Sequence, residues 1–144
     1  KNITLYYNKI SMSNSEKIHK FLEEAKVFYL STVDGDKPRC RPLGLHYYVN
    51  DKVYYGVGGF KEVYQQLEKN PNCELVALKG GEWIRINGKA VFEKDFVLAE
   101  KMLNDNQHLK ELYSKNNWKL MVFHIEGTVE IRNIMTTTEK FEIK

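Results

Sequence analysis

Between residues 82 and 92 the chain alternates with a period of two. Ile84, Ile86, Ala90 and Phe92 fall on one face, and Trp83, Arg85, Asn87 and Lys89 on the other. Successive side chains leave a strand on opposite faces, so this stretch is a strand with one buried side. Such a strand sits in an antiparallel sheet with one covered face. Its neighbours are punctuated in the same way. Residues 27–33 are rich in β-branched and aromatic side chains and end at Asp34-Gly35, a hairpin signal. A second strand region runs from about residue 38 to residue 49, and Asn50-Asp51 turns it into a third, 53–57. These two hairpins in succession read as a meander. Residues 74–78 run into Gly80-Gly81, and 120–132 form one long strand with Met121, Phe123, Ile125, Val129 and Ile131 on one side.

Helices fill the gaps between these strands. Ser13-x-x-Glu16 fits a capping box, and Ile18, Phe21, Leu22 and Ala25 follow at helical spacing, giving one apolar stripe. Residues 61–70 carry Val63, Tyr64 and Leu67 and stop at Asn70-Pro71, because a residue before proline avoids the helical region. Asp95 caps a third helix with Ala99, Met102 and Leu103 on its apolar face, followed by a short turn around Leu109, Leu112 and Tyr113. Ile3 to Tyr7 reads as a short strand or an ordered arm. Six or more short strands with helical cover imply a mainly β protein with flanking helices, built on an antiparallel barrel. At 144 residues this is one domain, 1–144, with 1–14 as an N-terminal arm.

Charge and cysteine content narrow the function. A net charge of +3 is too small for a nucleic-acid binder driven by its basic charge. No stretch approaches the roughly 18 apolar residues of a membrane span. Cys40 and Cys73 are the only cysteines, which implies a reducing, cytoplasmic setting rather than a disulfide framework. His19, His46, His108 and His124 are scattered along the chain, so no metal site is expected. His124 points away from the apolar face of its strand and is expected to be exposed or simply hydrogen-bonded.

Three features carry potential chemistry. Lys37, Arg39 and Arg41 are two apart, so an extended backbone presents all three on one face. Taken alone, that pattern is a solvated edge strand. Gly56-Val57-Gly58-Gly59-Phe60-Lys61 follows a strand and opens a helix, where free amides and the helix dipole favour an anion. The segment lacks the Gly-Lys-Ser/Thr ending of a nucleotide-triphosphate loop and the third glycine of a dinucleotide fingerprint. With Arg39 and Arg41 one hairpin away, it reads as a phosphate site. Trp83 and Arg85 make a polar-aromatic face that serves equally as ordinary surface, as an oligomer contact, or as the wall of a flat-ligand pocket. No nucleophile signature is present, so any chemistry belongs to a cofactor.

The ordered set Asp34-Gly35, Pro38-x-x-Arg41-Pro42-Leu43-Gly44, Tyr54-Tyr55, Lys61, Val63-Tyr64-Gln65-Gln66-Leu67, Asn70-Pro71 and Glu82 to Ala90 resembles the pyridoxamine 5'-phosphate oxidase-like FMN-binding split barrels, in particular the small nitroimidazole-resistance-like members. The resemblance spans about residues 15–132. It implies a six-stranded antiparallel split β-barrel, a homodimer, and FMN at the subunit interface. It assigns Arg41, Pro42 and Leu43 to the ribityl chain and ring, and Tyr55 and Gly56 to the neighbourhood of the phosphate. Lys61 is assigned to the phosphate itself, with Arg39 assisting. Trp83 and Arg85 are assigned to the flavin from the partner subunit, and Trp118 is a further candidate. The expected activity is FMN-dependent oxidation or reduction of a small molecule, with nitro-compound reduction the most concrete substrate. A non-catalytic flavin or haem module is the alternative, and a deazaflavin in place of FMN is another. Many members place Thr or Ser in the phosphate loop, whereas Gly56, Gly58, Gly59 and Phe60 supply no hydroxyl. Vitamin B6 oxidation is not expected, because the substrate residues of true pyridoxamine phosphate oxidases are unmatched.

Overall fold

The computed structural model describes residues 12–144. The strand or arm expected at residues 3–7 lies outside the described residues. Helix α1 (Asn14–Ala25) starts where Ser13 Oγ accepts the Glu16 amide at 3.1 Å, the half of the expected capping box seen here. The serine hydroxyl donates to Asp51 Oδ1, which ties the helix start to a distant hairpin turn. Ile18, Phe21 and Leu22 are the buried face of α1, as the spacing requires.

Strands β1 (Phe28–Asp34) and β2 (Lys37–Leu43) form an antiparallel hairpin closed by Gly35, whose φ of +64° suits glycine. β3 (His46–Val49) and β4 (Lys52–Gly58) form a second hairpin through Asn50 and Asp51, both with positive φ, the signature of a type I′ turn. Helix α2 (Glu62–Lys69) follows, then β5 (Asn72–Lys79) and β6 (Glu82–Phe92). Helices α3 (Val97–Asn104) and α4 (Gln107–Lys115) lead to β7 (Leu120–Arg132) and β8 (Thr137–Ile143). The N-cap of α3 is Phe96 rather than the expected Asp95, whose Oδ1 accepts the Val97 amide at 3.0 Å from one residue earlier, and the segment from 107 to 115 is a true helix rather than a turn.

The sheet order is β2-β1-β5-β6-β7-β4-β3, with β8 paired to β7. The stretch 38–49 is therefore not one strand, and the expected meander does not form. Gly44 and Leu45 break it, so that β2 and β3 end on opposite edges of the hydrogen-bonded path. Two edges joined by two residues must lie close in space, so the sheet curls round on itself. The result is the expected split barrel with flanking helices. It has more than six strands, because the second strand divides and because β8 carries too many charges to announce itself. β7 is the hub: Leu120 to Phe123 pair with β4, Gly127 to Arg132 pair with β8, and β6 runs along its other side.

Phe28, Leu30, Leu75, Ala77, Ile84, Ile86, Phe123 and Val129 fill the barrel, closed by α1 and by Val63 and Leu67 of α2. A second cluster on the outer side joins Tyr54, Leu120 and Val122 to Ala99 and Met102 of α3 and Tyr113 of α4. β7 is thus covered on both faces where α3 and α4 pack, so His124 is buried rather than exposed. Its Nε2 lies 2.9 Å from Glu126 Oε2. No helix among the described residues is long and apolar enough to cross a membrane.

Candidate functional site

A cavity of about 570 Å³ opens where β2, β4, the loop after β4 and the start of α2 converge. Its lining contains Arg41, Pro42 and Leu43 of β2, Leu45, Gly56 to Gly58 of β4, Phe60 to Val63, and Leu109 and Tyr113 of α4. The break at Gly44-Leu45 and the long connection through α3 and α4 build this space. Neither feature belongs to a single local motif.

Lys61 is the N-cap residue of α2, extended at φ −91° and ψ 155°, and no side-chain cap is made there. Its carbonyl accepts the amides of Tyr64 and Gln65, so the Glu62 and Val63 amides are the unpaired N–H groups that any helix start leaves over. They lie at the cavity with the Lys61 ammonium, where a bound anion is favoured. The Glu62 carboxylate shares the same rim and opposes part of that field.

Arg41 is held rigidly. Its guanidinium donates to Leu30 O at 3.1 Å, Thr32 Oγ1 at 2.7 Å and Gln66 Oε1 at 2.8 Å. Thr32 and Gln66 are buried polar residues, and the 2.6 Å bond between them completes the network. Burial pushes the Arg41 pKa down from the ordinary arginine value, and the guanidinium remains a cation at neutral pH. One side chain therefore fastens α2 to the sheet and faces the cavity.

Phe60 folds back over the glycines, and a Cβ on Gly58 would stand 2.6 Å from its ring. Gly58 thus makes room for a neighbouring side chain as much as for a ligand. Phe60 stacks on Trp118 with centroids 4.1 Å apart and planes 20° apart, and Tyr113 meets the edge of both rings. Trp118 is placed one aromatic layer behind the cavity wall.

The fold brings only part of the expected site residues together. Arg41, Pro42, Leu43, Gly56 and Lys61 line one cavity. Tyr55 precedes Gly56, but its ring turns into the barrel against Phe28 and Phe123, and burial drives its pKa well above the usual phenol value. Arg39 leaves the site altogether: its Nε donates to Asp34 Oδ2 at 3.1 Å across the β1–β2 hairpin. Lys37 lines a separate open groove beside Gly35 and Asp36. Trp83 and Arg85 are also absent from the cavity lining. The Trp83 ring has the Arg85 guanidinium 4.9 Å away and that of Arg132 at 5.4 Å, while Glu74 and Glu130 pair with Arg85 at 3.5 and 3.7 Å.

Glu62, Leu109 and Tyr113 line the cavity outside every expected site motif, whereas Phe60 lies inside the glycine segment that reads as a phosphate site; α4 reaches the cavity only through tertiary packing. Two of the four histidines also meet in space despite their scatter in sequence, since His19 and His46 lie with ring centroids 5.3 Å apart beside Glu23. That corrects the expectation that they do not cluster.

A family model described as pyridoxamine 5'-phosphate oxidase matches residues 15–128. A NimC/NimA family protein from Clostridium acetobutylicum is similar in structure, with a TM-score of 0.80 and 26% identity over 96% of this chain and 99% of that one. A pyridoxamine 5'-phosphate oxidase-related, FMN-binding protein from Nostoc punctiforme superposes with a TM-score of 0.60 at 13% identity, covering 93% of this chain and 98% of that chain. A heme-binding protein from Mycobacterium smegmatis has a TM-score of 0.67 at 13% identity, over 91% of this chain and 58% of its own. No curated protein sequence matches the chain. The split barrel and the match across most of its length lead to one conclusion: the chain belongs to the pyridoxamine 5'-phosphate oxidase family.

Proposed function

We propose that the protein binds FMN in the cavity between β2, β4 and α2 and uses it in an oxidoreductase reaction on a small molecule. The observation that carries this reading is the meeting of Lys61, the α2 amides and Arg41 at a cavity whose remaining lining, Glu62 apart, is mostly apolar. An anion anchor beside Leu43, Leu45, Val57 and Phe60 suits a ligand with a phosphate at one end and a flat ring at the other. Lys61 and the Glu62 and Val63 amides would hold the phosphate, which removes the need for a loop hydroxyl. Pro42 and Leu43 would line the ribityl chain and ring.

Bound FMN supplies hydride or single-electron transfer, and the chain supplies orientation and a cavity that limits what reaches the ring. The outward-facing Trp83 and Arg85 fit a homodimer in which each subunit offers this face to the flavin of the other. Reduction of a nitro compound is the substrate reading, supported by the likeness to the NimC/NimA family protein. Haem is less well served. The cavity lining contains no His, Cys or Met, so Tyr113 is the residue there of a type that ligates haem iron.

The visible spectrum of the purified protein, with the released chromophore identified by mass, tests the proposal. Bound or readily reconstituted FMN supports it; a protein that neither carries nor takes up FMN overturns it. Turnover of nitro compounds by the loaded protein with a reductant then separates an enzyme from a flavin carrier.

A further inference from the structure

His19 lies on α1 one turn before Glu23, so both side chains leave the same side of the helix. β3 begins at His46 and packs against α1. One donor atom from each of His19, Glu23 and His46 falls within 4.8 Å of the other two. His46 Nε2 is 3.4 Å from Glu23 Oε1, and His19 Nε2 is 4.0 Å from the same oxygen. Both distances exceed an ordinary N–H···O bond. The Nδ1 atoms of both rings are buried with no hydrogen-bond partner among the described residues. Each imidazole thus has one nitrogen shut off from water, while its Nε2 faces the Glu23 carboxylate at a distance longer than an ordinary hydrogen bond.

The rings are already held in place. Tyr48 stacks on His19 with centroids 5.1 Å apart and planes 17° apart, and the edge of Phe28 meets His46 at 6.2 Å. The side chain of His46 is only 7% exposed, whereas that of Glu23 is 60% exposed and free to adjust. Ligand bonds of about 2.0–2.1 Å to a tetrahedral zinc ion put donor atoms about 3.3 Å apart. The His46–Glu23 distance already meets that spacing, and a small rotation of Glu23 and His19 closes the rest.

We propose that His19, Glu23 and His46 bind a divalent transition-metal ion of the zinc class, which clamps α1 to β3. Two imidazole nitrogens and one carboxylate select such an ion over calcium or magnesium, which prefer all-oxygen sets. Three protein ligands leave a fourth position for water. Neither Nδ1 has an acceptor behind it, so the affinity falls below that of a site with such support. None of the three residues lines the Lys61–Arg41 cavity, and the site stands independently of the flavin proposal.

The test uses the full untagged chain, stripped with EDTA and titrated with Zn²⁺ against a chromophoric chelator. Co²⁺ serves as a spectroscopic substitute. The expected result is one equivalent of Zn²⁺, a melting temperature raised by the ion, and tetrahedral-type visible bands with Co²⁺. Glu23→Gln weakens binding by about tenfold or more, and the His19→Gln/Glu23→Gln double variant abolishes it. Glu23 is exposed and His19 only half-buried, and glutamine is compatible with a helix at both positions, so these variants are expected to keep the wild-type circular dichroism spectrum. Wild-type binding retained in the double variant overturns the proposal, because the ion then sits elsewhere. A wild-type chain that takes up no Zn²⁺ at millimolar concentration overturns it as well.

Discussion

Gly88 of β6 and Gly127 of β7 stand directly opposite each other, at a point where neither strand leaves room for a side chain. A Cβ on Gly88 would lie 2.1 Å from Glu126 O, and one on Gly127 would lie 2.1 Å from Asn87 O. The backbones therefore close on each other midway along the longest strand pair. Just before this point β7 pairs with β4, and from Gly127 onward it pairs with β8. Paired glycines let two strand backbones approach this closely without a steric penalty.

Gly127→Ala is expected to destabilise the fold by about 1–3 kcal/mol or more, since the clash is with backbone rather than a flexible side chain. Urea denaturation with a two-state fit measures it. A midpoint equal to wild type would show that the strands separate freely at this point.

The proposed phosphate anchor is tested by Lys61→Ala, which should weaken FMN binding by roughly 1.5–3 kcal/mol, the range for a hydrogen bond to a charged group. Fluorescence quenching titration gives the number. Wild-type affinity in the variant removes Lys61 from the site.

Replacing Gln66 with Leu leaves Arg41 and Thr32 without a shared acceptor in a buried position. The expected loss is about 1–3 kcal/mol of stability, the cost of a buried polar group left unpaired. Thermal melts of Gln66→Leu beside Gln66→Glu distinguish a lost acceptor from lost packing. Only the glutamate variant retains an acceptor for Arg41, so equal losses would sink this account.

Burial pushes the Cys73 thiol from 9.0 up to about 12, while Cys40 is exposed. The folded-state pKa lies above the unfolded value. Its contribution to stability is therefore complete below about pH 9 and is lost as pH rises toward 12. The melting temperature should fall over that alkaline window, and Cys73→Val should flatten the fall. A thiol reagent at pH 8 should label one cysteine in the native chain and two in denaturant. Two labelled at once would mean that β5 opens readily.

Trp83→Ala removes the ring that Arg85 and Arg132 flank, and should loosen both the proposed dimer and its flavin. Sedimentation combined with the flavin-to-protein absorbance ratio reads both. An intact dimer with full flavin would leave Trp83 as surface cover.

Local chemistry was enough to place most of the elements. Period-two alternation marked β6, the Asp34-Gly35, Asn50-Asp51 and Gly80-Gly81 pairs marked three turns, and helical spacing marked α1 and α2. Each of these signals depends on residues a few positions apart. Lys61 at the start of α2 was legible for the same reason, because strand end, glycines and helix start are contiguous.

Tertiary structure decided what lies next to what. Arg39 and Arg41 share a strand, yet one pairs with Asp34 while the other faces the cavity beside Lys61, because curling of the sheet brings only one of them to β4 and α2. Tyr55 turns inward since its partner strand β7 presents Phe123 there. His19 and His46, 27 positions apart, meet only because α1 packs across β3. A strand's own sequence specifies which of its faces is buried, whereas hydrogen bonds between distant strands specify which edge it joins. The candidate site follows from the second of these.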